Sequence, residues 1–215
     1  MRDDLQAYYA ARANEYDKVY AKPERQADLR AMQRWLQTLL CGQRVLEVAC
    51  GTGYWTQFIE PIAKCVVALD VAEEVLRIAR ERVPDERVRF VVGDAYCIPP
   101  ALGSFNAAFA GFWFSHIPRS RQREFLLHLN ERLETGSRIV LLDNLYVEGS
   151  STALSERDCD GNSYQLRPLA DGSVHRVLKN FPTEQDLRAL ATGSGNDLHF
   201  TRWQYYWGFD YATRR

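Results

Sequence analysis

Residues Val45-Leu46-Glu47-Val48-Ala49-Cys50-Gly51-Thr52-Gly53 bring together an apolar run, a carboxylate and two closely spaced glycines. The run reads as a buried strand that ends in a tight turn and opens a helix at about Tyr54. Glycine lets the backbone bend sharply and approach a ligand more closely than a Cβ would permit. The helix N-terminus beside it offers unpaired N–H groups and partial positive charge, which suit a ligand carboxylate or phosphate. A second apolar run, Val66 to Leu69, ends in Asp70, 23 residues after Glu47. A carboxylate at that distance either accepts bonds from ribose hydroxyls or caps the helix expected near Ala72. A third run, Val88 to Val92, ends in Gly93-Asp94-Ala95, and a fourth, Phe105 to Phe114, leads to Ser115-His116. An imidazole there, with an ordinary pKa of about 6.5, can take a proton at neutral pH.

These four strand ends resemble the class I S-adenosylmethionine-dependent methyltransferases. Their first motif often reads acid-any-small-any-Gly-any-Gly, matched here by Glu47, Ala49, Gly51 and Gly53, with Ala49 where many members carry glycine. The resemblance covers about residues 8 to 144, and beyond that it is architectural only. It implies S-adenosylmethionine as cofactor and S-adenosylhomocysteine as product. Asp70 and its neighbour Val71 would then face the ribose side, while Asp94 faces the adenine amino group and the backbone of Ala95 reads the ring. Cys50 faces the cofactor from the turn, where a small polarizable side chain suffices, and Trp55 and Phe112 are assigned to the same ligand. An N-terminal helix in the family folds over the cofactor, which brings Tyr8 and Tyr16 towards its methionine end and Tyr20 towards the acceptor. Trp113, Asn144 and Tyr146, each near a strand end, are the other acceptor-side candidates. His116 is the candidate base, although Ser115-His116-Ile117-Pro118 also resembles a structural turn in which the histidine packs without titrating. Nothing in the pattern calls for a metal.

The elements that position these residues alternate. Strand 45–49, helix 54–63, strand 65–70, helix 73–82, strand 88–92, strand 105–111, helix 120–133 and strand 138–143 follow one another. Such alternation implies right-handed crossovers and a parallel sheet covered on both faces. With the closing pair 197–202 and 203–211 it gives an α/β fold: a three-layer Rossmann-like sandwich on a mostly parallel seven-stranded sheet, the final strand antiparallel. Before it, residues 3 to 20 carry Leu5, Tyr8, Tyr9, Tyr16, Val19 and Tyr20 at helical spacing. The face is rich in phenol rings, whose attraction for a sulfonium is worth about 0.5–2 kcal/mol. A second helix from Pro23 to about Leu40 carries Arg25 and Arg30, which are either solvated or reach a cofactor carboxylate or an acidic substrate. Residues 145 to 180 break the alternation, and the hairpin dipeptides Asp160-Gly161 and Asp171-Gly172 predict an antiparallel ribbon from 164–167 and 174–177. Thr183, with Asp186 three residues on, predicts another capped helix. The expected organisation is one methyltransferase domain over 1–215, with residues 1–40 as a helical lid and 145–180 walling the acceptor site.

Composition excludes several classes. With 27 basic and 28 acidic residues the net charge is −1, which gives no electrostatic footprint for nucleic acid or an anionic membrane. Five cysteines, odd in number and without a CxxC pair, suggest reduced thiols instead of a disulfide frame or zinc site. No signal peptide and no apolar run near the ~20 residues of a membrane helix is visible, so a cytoplasmic location is expected. Oligomeric state leaves no mark on the sequence. A small, ring-bearing or cationic acceptor, methylated at nitrogen or oxygen, fits the 12% aromatic content. A nicotinamide-dependent oxidoreductase would want Gly-any-Gly-any-any-Gly, whereas the third position here is Thr56. A non-catalytic adenosyl-ligand-binding protein is the other alternative.

Overall fold

The computed structural model describes residues 17, 19–169 and 172–214. The predicted helix over 3–20, with Tyr8, Tyr9 and Tyr16, therefore lies outside the described residues, apart from a short turn reaching Tyr20. The strands in chain order are β1 (Arg44–Val48), β2 (Cys65–Asp70), β3 (Val88–Val92), β4 (Phe105–Gly111), β5 (Leu133–Asn144), β6 (Glu156–Arg157), β7 (Ser163–Pro168), β8 (Val174–Leu178), β9 (Gly195–Arg202) and β10 (Tyr206–Thr213). The helices are α1 (Gln26–Leu40), α2 (Thr56–Ile59), α3 (Glu73–Arg82), α4 (Arg119–Glu131) and α5 (Glu184–Ala191). One seven-stranded sheet runs β3-β2-β1-β4-β5-β10-β9. Strands β1 to β5 pair in parallel, and β10 is antiparallel to both of its neighbours.

Strand alternation sorts the core into two layers. Val45, Ala107, Phe109, Val140 and Leu142 face α1, which buries Leu29, Met32, Leu36 and Leu40 against them. Their neighbours Leu46, Val48, Ala108, Ala110, Ile139 and Leu141 face α4 and α5, meeting Phe125, Leu126, Leu129 and Leu187. Each such side chain contributes about 1.5–3 kcal/mol by leaving water. The parallel strands carry continuous apolar runs because both of their faces are covered. Chain order reverses direction across the sheet between β1 and β4, which opens a crevice at their carboxyl ends.

Two expectations change in detail. The helix predicted over 54–63 is helical only over Thr56–Ile59 and then tightens into a turn through Ala63. Pro61 has no N–H for the next helical bond, so the helix cannot run on. The last parallel strand is longer than predicted, because Leu133 already pairs with Phe105 before an irregularity restores the register at Arg138. The ribbon forms as expected: β7 and β8 pair antiparallel from Tyr164↔Leu178 to Pro168↔Val174, with β6 added at the edge. Helix α5 has the predicted cap, with Thr183 and Asp186 exchanging bonds in a capping box.

Candidate active site

The turn after β1 is built on three left-handed residues: Ala49 at φ +54°, Gly51 at +55° and Gly53 at +73°. Alanine pays about 1–2 kcal/mol in that region, which explains physically why glycine suits its position. At Gly53 the constraint is packing as well as φ, since a Cβ there would meet the Ala79 Cβ of α3 at 3.1 Å. Glycine at 53 thus brings the turn against a helix, a packing constraint beside the close approach to a ligand expected of it. Cys50 is buried, and burial drives its thiol well above the ordinary range, leaving it no nucleophile.

Glu47 lies beneath the turn at 2% exposure and accepts a 2.8 Å bond from Thr56 Oγ1. Burial, with a smaller push from Asp70, raises its pKa to about 8, so the carboxyl is mostly protonated at pH 7. The unfolded chain releases this proton near pH 4.5 while the folded chain keeps it to about 8, so folding stability falls as pH rises across that window. The wild-type protein should therefore lose about 3 kcal/mol more between pH 5 and pH 8 than Glu47→Gln, which keeps the acceptor and never ionises. Urea unfolding of both proteins at the two pH values measures the difference; parallel curves would place Glu47 in water.

Asp70 takes the helix-capping role its spacing allowed and also holds the glycine turn. Its Oδ1 accepts from Ala72 N at 3.1 Å at the entrance of α3, and its Oδ2 accepts from Gly51 N at 2.9 Å. Burial raises its pKa despite those amide bonds. The acid thus pins the glycine turn from the neighbouring strand. Asp94 sits at the end of β3 and accepts from Tyr96 N at 2.8 Å, beside the buried Ala95. Val71 is half exposed next to Asp70.

An aromatic group closes over the β1 and β4 ends. Tyr20 stacks on Tyr54 with centroids 3.6 Å apart, and meets Trp55 at 6.1 Å and Phe112 at 5.7 Å edge-on. Trp55 stacks on Phe112 at 5.9 Å. Phe112 is itself left-handed at φ +59°, held by a 2.6 Å bond from its N–H to Leu142 O. That twist separates the two rings the sequence paired: Phe112 turns to the α1 side, whereas Trp113 packs on the α4 side beside Tyr96. Tyr20, expected on the acceptor side, is packed among these rings at the turn. Next to it Asp17 accepts a 2.8 Å bond from Thr52 Oγ1 and an ion pair from Arg82, whose Nη1 also donates to Thr52 O at 2.9 Å. The segment preceding α1 is thereby fastened to the glycine turn, through residues the sequence reading did not single out.

The β4 and β5 ends hold a buried polar chain. Asp143 is fully buried, and its Oδ1 accepts from Lys179 Nζ at 2.8 Å while its Oδ2 accepts from Ser115 N at 3.0 Å. Lys179 also donates to Ser115 Oγ at 2.6 Å. Burial pushes the Asp143 carboxyl up, but the Lys179 ammonium and its other partners outweigh it and hold it below the usual range. Asn144 donates from its backbone and side-chain amides to the same Asp143 oxygen. His116 is buried, with Nδ1 2.7 Å from Leu178 O. A carbonyl only accepts, so Nδ1 carries the proton of the neutral ring. Burial first, then the Lys179 and Arg167 cations, depress its pKa well below the ordinary value that the sequence reading assigned it. Tyr146 is half exposed and packs edge-on against Phe181 at 5.4 Å. Asn144, His116 and Asp143 thus share one locus, while Trp113 and Tyr146 flank it.

The glycine turn, Asp70 and Asp94 on successive strand ends, and the flanking rings form an acceptor-rich crevice at a sheet's switch point, which suits hydroxyl and amino groups of an adenosyl ligand. This arrangement is the one expected of a class I methyltransferase site. The methyltransferase domain family matches residues 45–136. The demethylmenaquinone methyltransferase of Lactococcus lactis is 30% identical over 151 residues, 65% of this chain and 58% of that protein. That of Renibacterium salmoninarum is 37% identical over 87 residues, 40% of this chain and 36% of its own. The chain thus spans little more than half the length of the first relative, and less of the second. The solved DhpI–SAH complex superposes with a TM-score of 0.80 at 25% identity, covering 98% of this chain and 96% of that one. The PH0226 protein of Pyrococcus horikoshii shares the fold, with a TM-score of 0.74 at 17% identity over 93% of this chain and 99% of its own. Residues 45–136 thus match a methyltransferase domain, and the chain has the fold of the class I S-adenosylmethionine-dependent methyltransferases, a family whose cofactor is S-adenosylmethionine. No helix among the described residues is long and apolar enough to cross a membrane.

Proposed function

We propose that this chain methylates a small-molecule acceptor at nitrogen or oxygen, as one domain in which residues 1–40 close over the cofactor and 145–180 wall the acceptor. The observation that supports the reading is that neighbouring strand ends along one edge of the sheet carry two different polar groups. One is the glycine turn with Asp70 and Asp94; the other is the buried polar chain of His116, Asp143 and Asn144 beside it. The relatives support a small acceptor: they are demethylmenaquinone methyltransferases, and DhpI has also been solved as a SAM–HEP complex, with a TM-score of 0.80 at 25% identity.

When bound, S-adenosylmethionine supplies an electrophilic methyl group, whose carbon bonds to the acceptor's lone pair as the carbon–sulfur pair passes to sulfur. The protein's part is positioning, exclusion of water and proton transfer. Gly51 and Gly53 shape the seat, with Ala49, Cys50 and Glu47 beneath it. Asp70 with Val71, and Asp94 with Ala95, hold the ribose and adenine. Trp55, Phe112 and the lid tyrosines Tyr8 and Tyr16 surround the methionine end, and the Asp17–Thr52–Arg82 contacts keep that lid seated. On the acceptor side, Asn144 and Tyr146 orient the nucleophile, Trp113 shields it and His116 accepts its proton, while Tyr20 closes the rings over the turn.

Calorimetric titration tests the cofactor half directly. S-adenosylhomocysteine should bind, and NAD should not bind comparably; tight NAD binding with none for S-adenosylhomocysteine would overturn the reading. Asp70→Ala should weaken S-adenosylhomocysteine by about 1–3 kcal/mol, because it strands the Gly51 amide and the ligand's hydroxyls together. An unchanged dissociation constant would reduce Asp70 to a support for the turn and helix.

A further inference from the structure

Among the described residues Arg25 and Lys179 are the buried cations, Arg25 at 8% exposure, and no described carboxylate forms an ion pair with Arg25. Its guanidinium rests on Tyr205 and Tyr206, 5.1 and 5.5 Å from the ring centres. Nη2 donates to Ser150 Oγ at 2.9 Å and to Ser150 O at 3.4 Å, and Nη1 reaches Asn144 Oδ1 at 3.4 Å. Nε has no partner. Lys22 also donates to Ser150 O, at 3.3 Å. Among the described residues, Asp28 lies nearby with its Oδ2 taken by Tyr205 N at 2.8 Å, and Asp28 and Glu24 both act on Tyr206.

This cation sits beside the chemistry. Tyr206, on which it rests, meets Phe112 edge-on at 5.6 Å, and Asn144 joins it to the carboxylate that Lys179 already neutralises. Arg25 and Arg167 both act electrostatically on Lys179, the partner of the buried Asp143, so positive charge is in excess here. A desolvated guanidinium with one short hydrogen bond, two long ones and an idle donor is costly unless a counter-charge arrives. Its planar fork matches a carboxylate or a tetrahedral phosphorus oxyanion, to which charge-assisted bonds are short and strong.

We propose that the acceptor carries an anionic group, a carboxylate or a phosphorus oxyanion, which Arg25 binds opposite the reacting end. The inference rests on the methyltransferase reading of the same site and narrows its acceptor from small molecules to small anions. Arg25 acts as the specificity-determining residue, and Asn144 steadies its fork.

The test uses the full chain, with and without S-adenosylhomocysteine, at fixed ionic strength. Thermal shifts are followed against propionate, inorganic phosphate and the neutral propionamide. Propionate or phosphate should raise the melting temperature of wild type saturably, and propionamide should not. In Arg25→Gln the apparent Kd of that anion should rise about tenfold or more while S-adenosylhomocysteine affinity stays within about threefold. Arg25→Lys, which keeps charge and loses the fork, should fall between, and serves where the glutamine variant folds poorly. Whichever anion responds identifies the chemistry of the source. Equal shifts in wild type and Arg25→Gln, or shifts equal for propionate and propionamide, overturn the proposal. So does a large loss of S-adenosylhomocysteine affinity in Arg25→Gln with anion response unchanged, since Arg25 would then serve the cofactor's own carboxylate. Failure of wild type to bind S-adenosylhomocysteine defeats the methyltransferase reading instead, and the ligand-free arm still reports on the anion.

Discussion

Replacing Lys179 by Met should destabilise the protein by about 3–5 kcal/mol, because it leaves the fully buried Asp143 carboxylate without a counter-charge. For a chain of this size that corresponds to a fall in Tm of about 10–15 °C. The Ser115 and Asn144 amides still donate to Asp143, so its hydrogen bonds do not vanish, and the cost falls on uncompensated charge. Adding Asp143→Asn to Lys179→Met should recover much of the loss, since asparagine sheds the charge and keeps an acceptor. Asp143→Asn alone should be destabilising, as it strands the ammonium. Calorimetric melting of the four proteins gives the cycle, with a coupling of up to about 3 kcal/mol expected. A Lys179→Met variant that melts within about 2 °C of wild type would show that the pair is solvated.

This pair also marks where sequence reading stops. The strand ends were legible because apolar runs, acids and glycines are neighbours in the chain, and pleat and turn constraints act locally. The Tyr164 and Val174 segments of the ribbon were legible for the same reason, with Gly161 and Gly172 both at positive φ as their dipeptides demanded. The Thr183–Asp186 box is a four-residue signal. Lys179 meets Asp143 across 36 residues, and Arg25 meets Ser150 across 125, with no periodic pattern linking them. Only topology, which carries the ribbon back over the β4 and β5 ends, makes such pairs. The facing of Phe112 and Trp113 was hidden for another reason: one left-handed residue breaks the alternation from which side-chain direction is read. Arg25 was left open between solvent and an acidic ligand, and the structure buries it. Arg30, its companion in that reading, is exposed.

The same long-range charges change what His116 should do. On sequence, a histidine at the β4 edge titrates near pH 6.5, so a base there would give a rate inflection between about pH 6 and 7.5. In the fold its ring is buried, and Lys179 and Arg167, brought by β8 and β7, oppose its protonation. A base must be unprotonated to work, so activity is lost as pH falls through the depressed pKa, below the ordinary histidine range. The rate should accordingly run flat from about pH 6 to 7.5, with its acid limb displaced below that window. Removing one of the opposing cations should bring the limb back: Arg167→Gln, which leaves the Lys179–Asp143 pair in place, should shift it to higher pH. His116→Asn retains hydrogen-bonding capacity towards Leu178 O and removes the proton acceptor, and should lower kcat by about 10²–10⁴-fold with little change in S-adenosylhomocysteine affinity. Pre-steady-state turnover across pH 5 to 9, with the acceptor saturating, measures both effects. A drop of less than about fivefold with the acid limb unmoved would mean that the nucleophile needs no base, and that the buried ring serves to tie the β4 end to the ribbon.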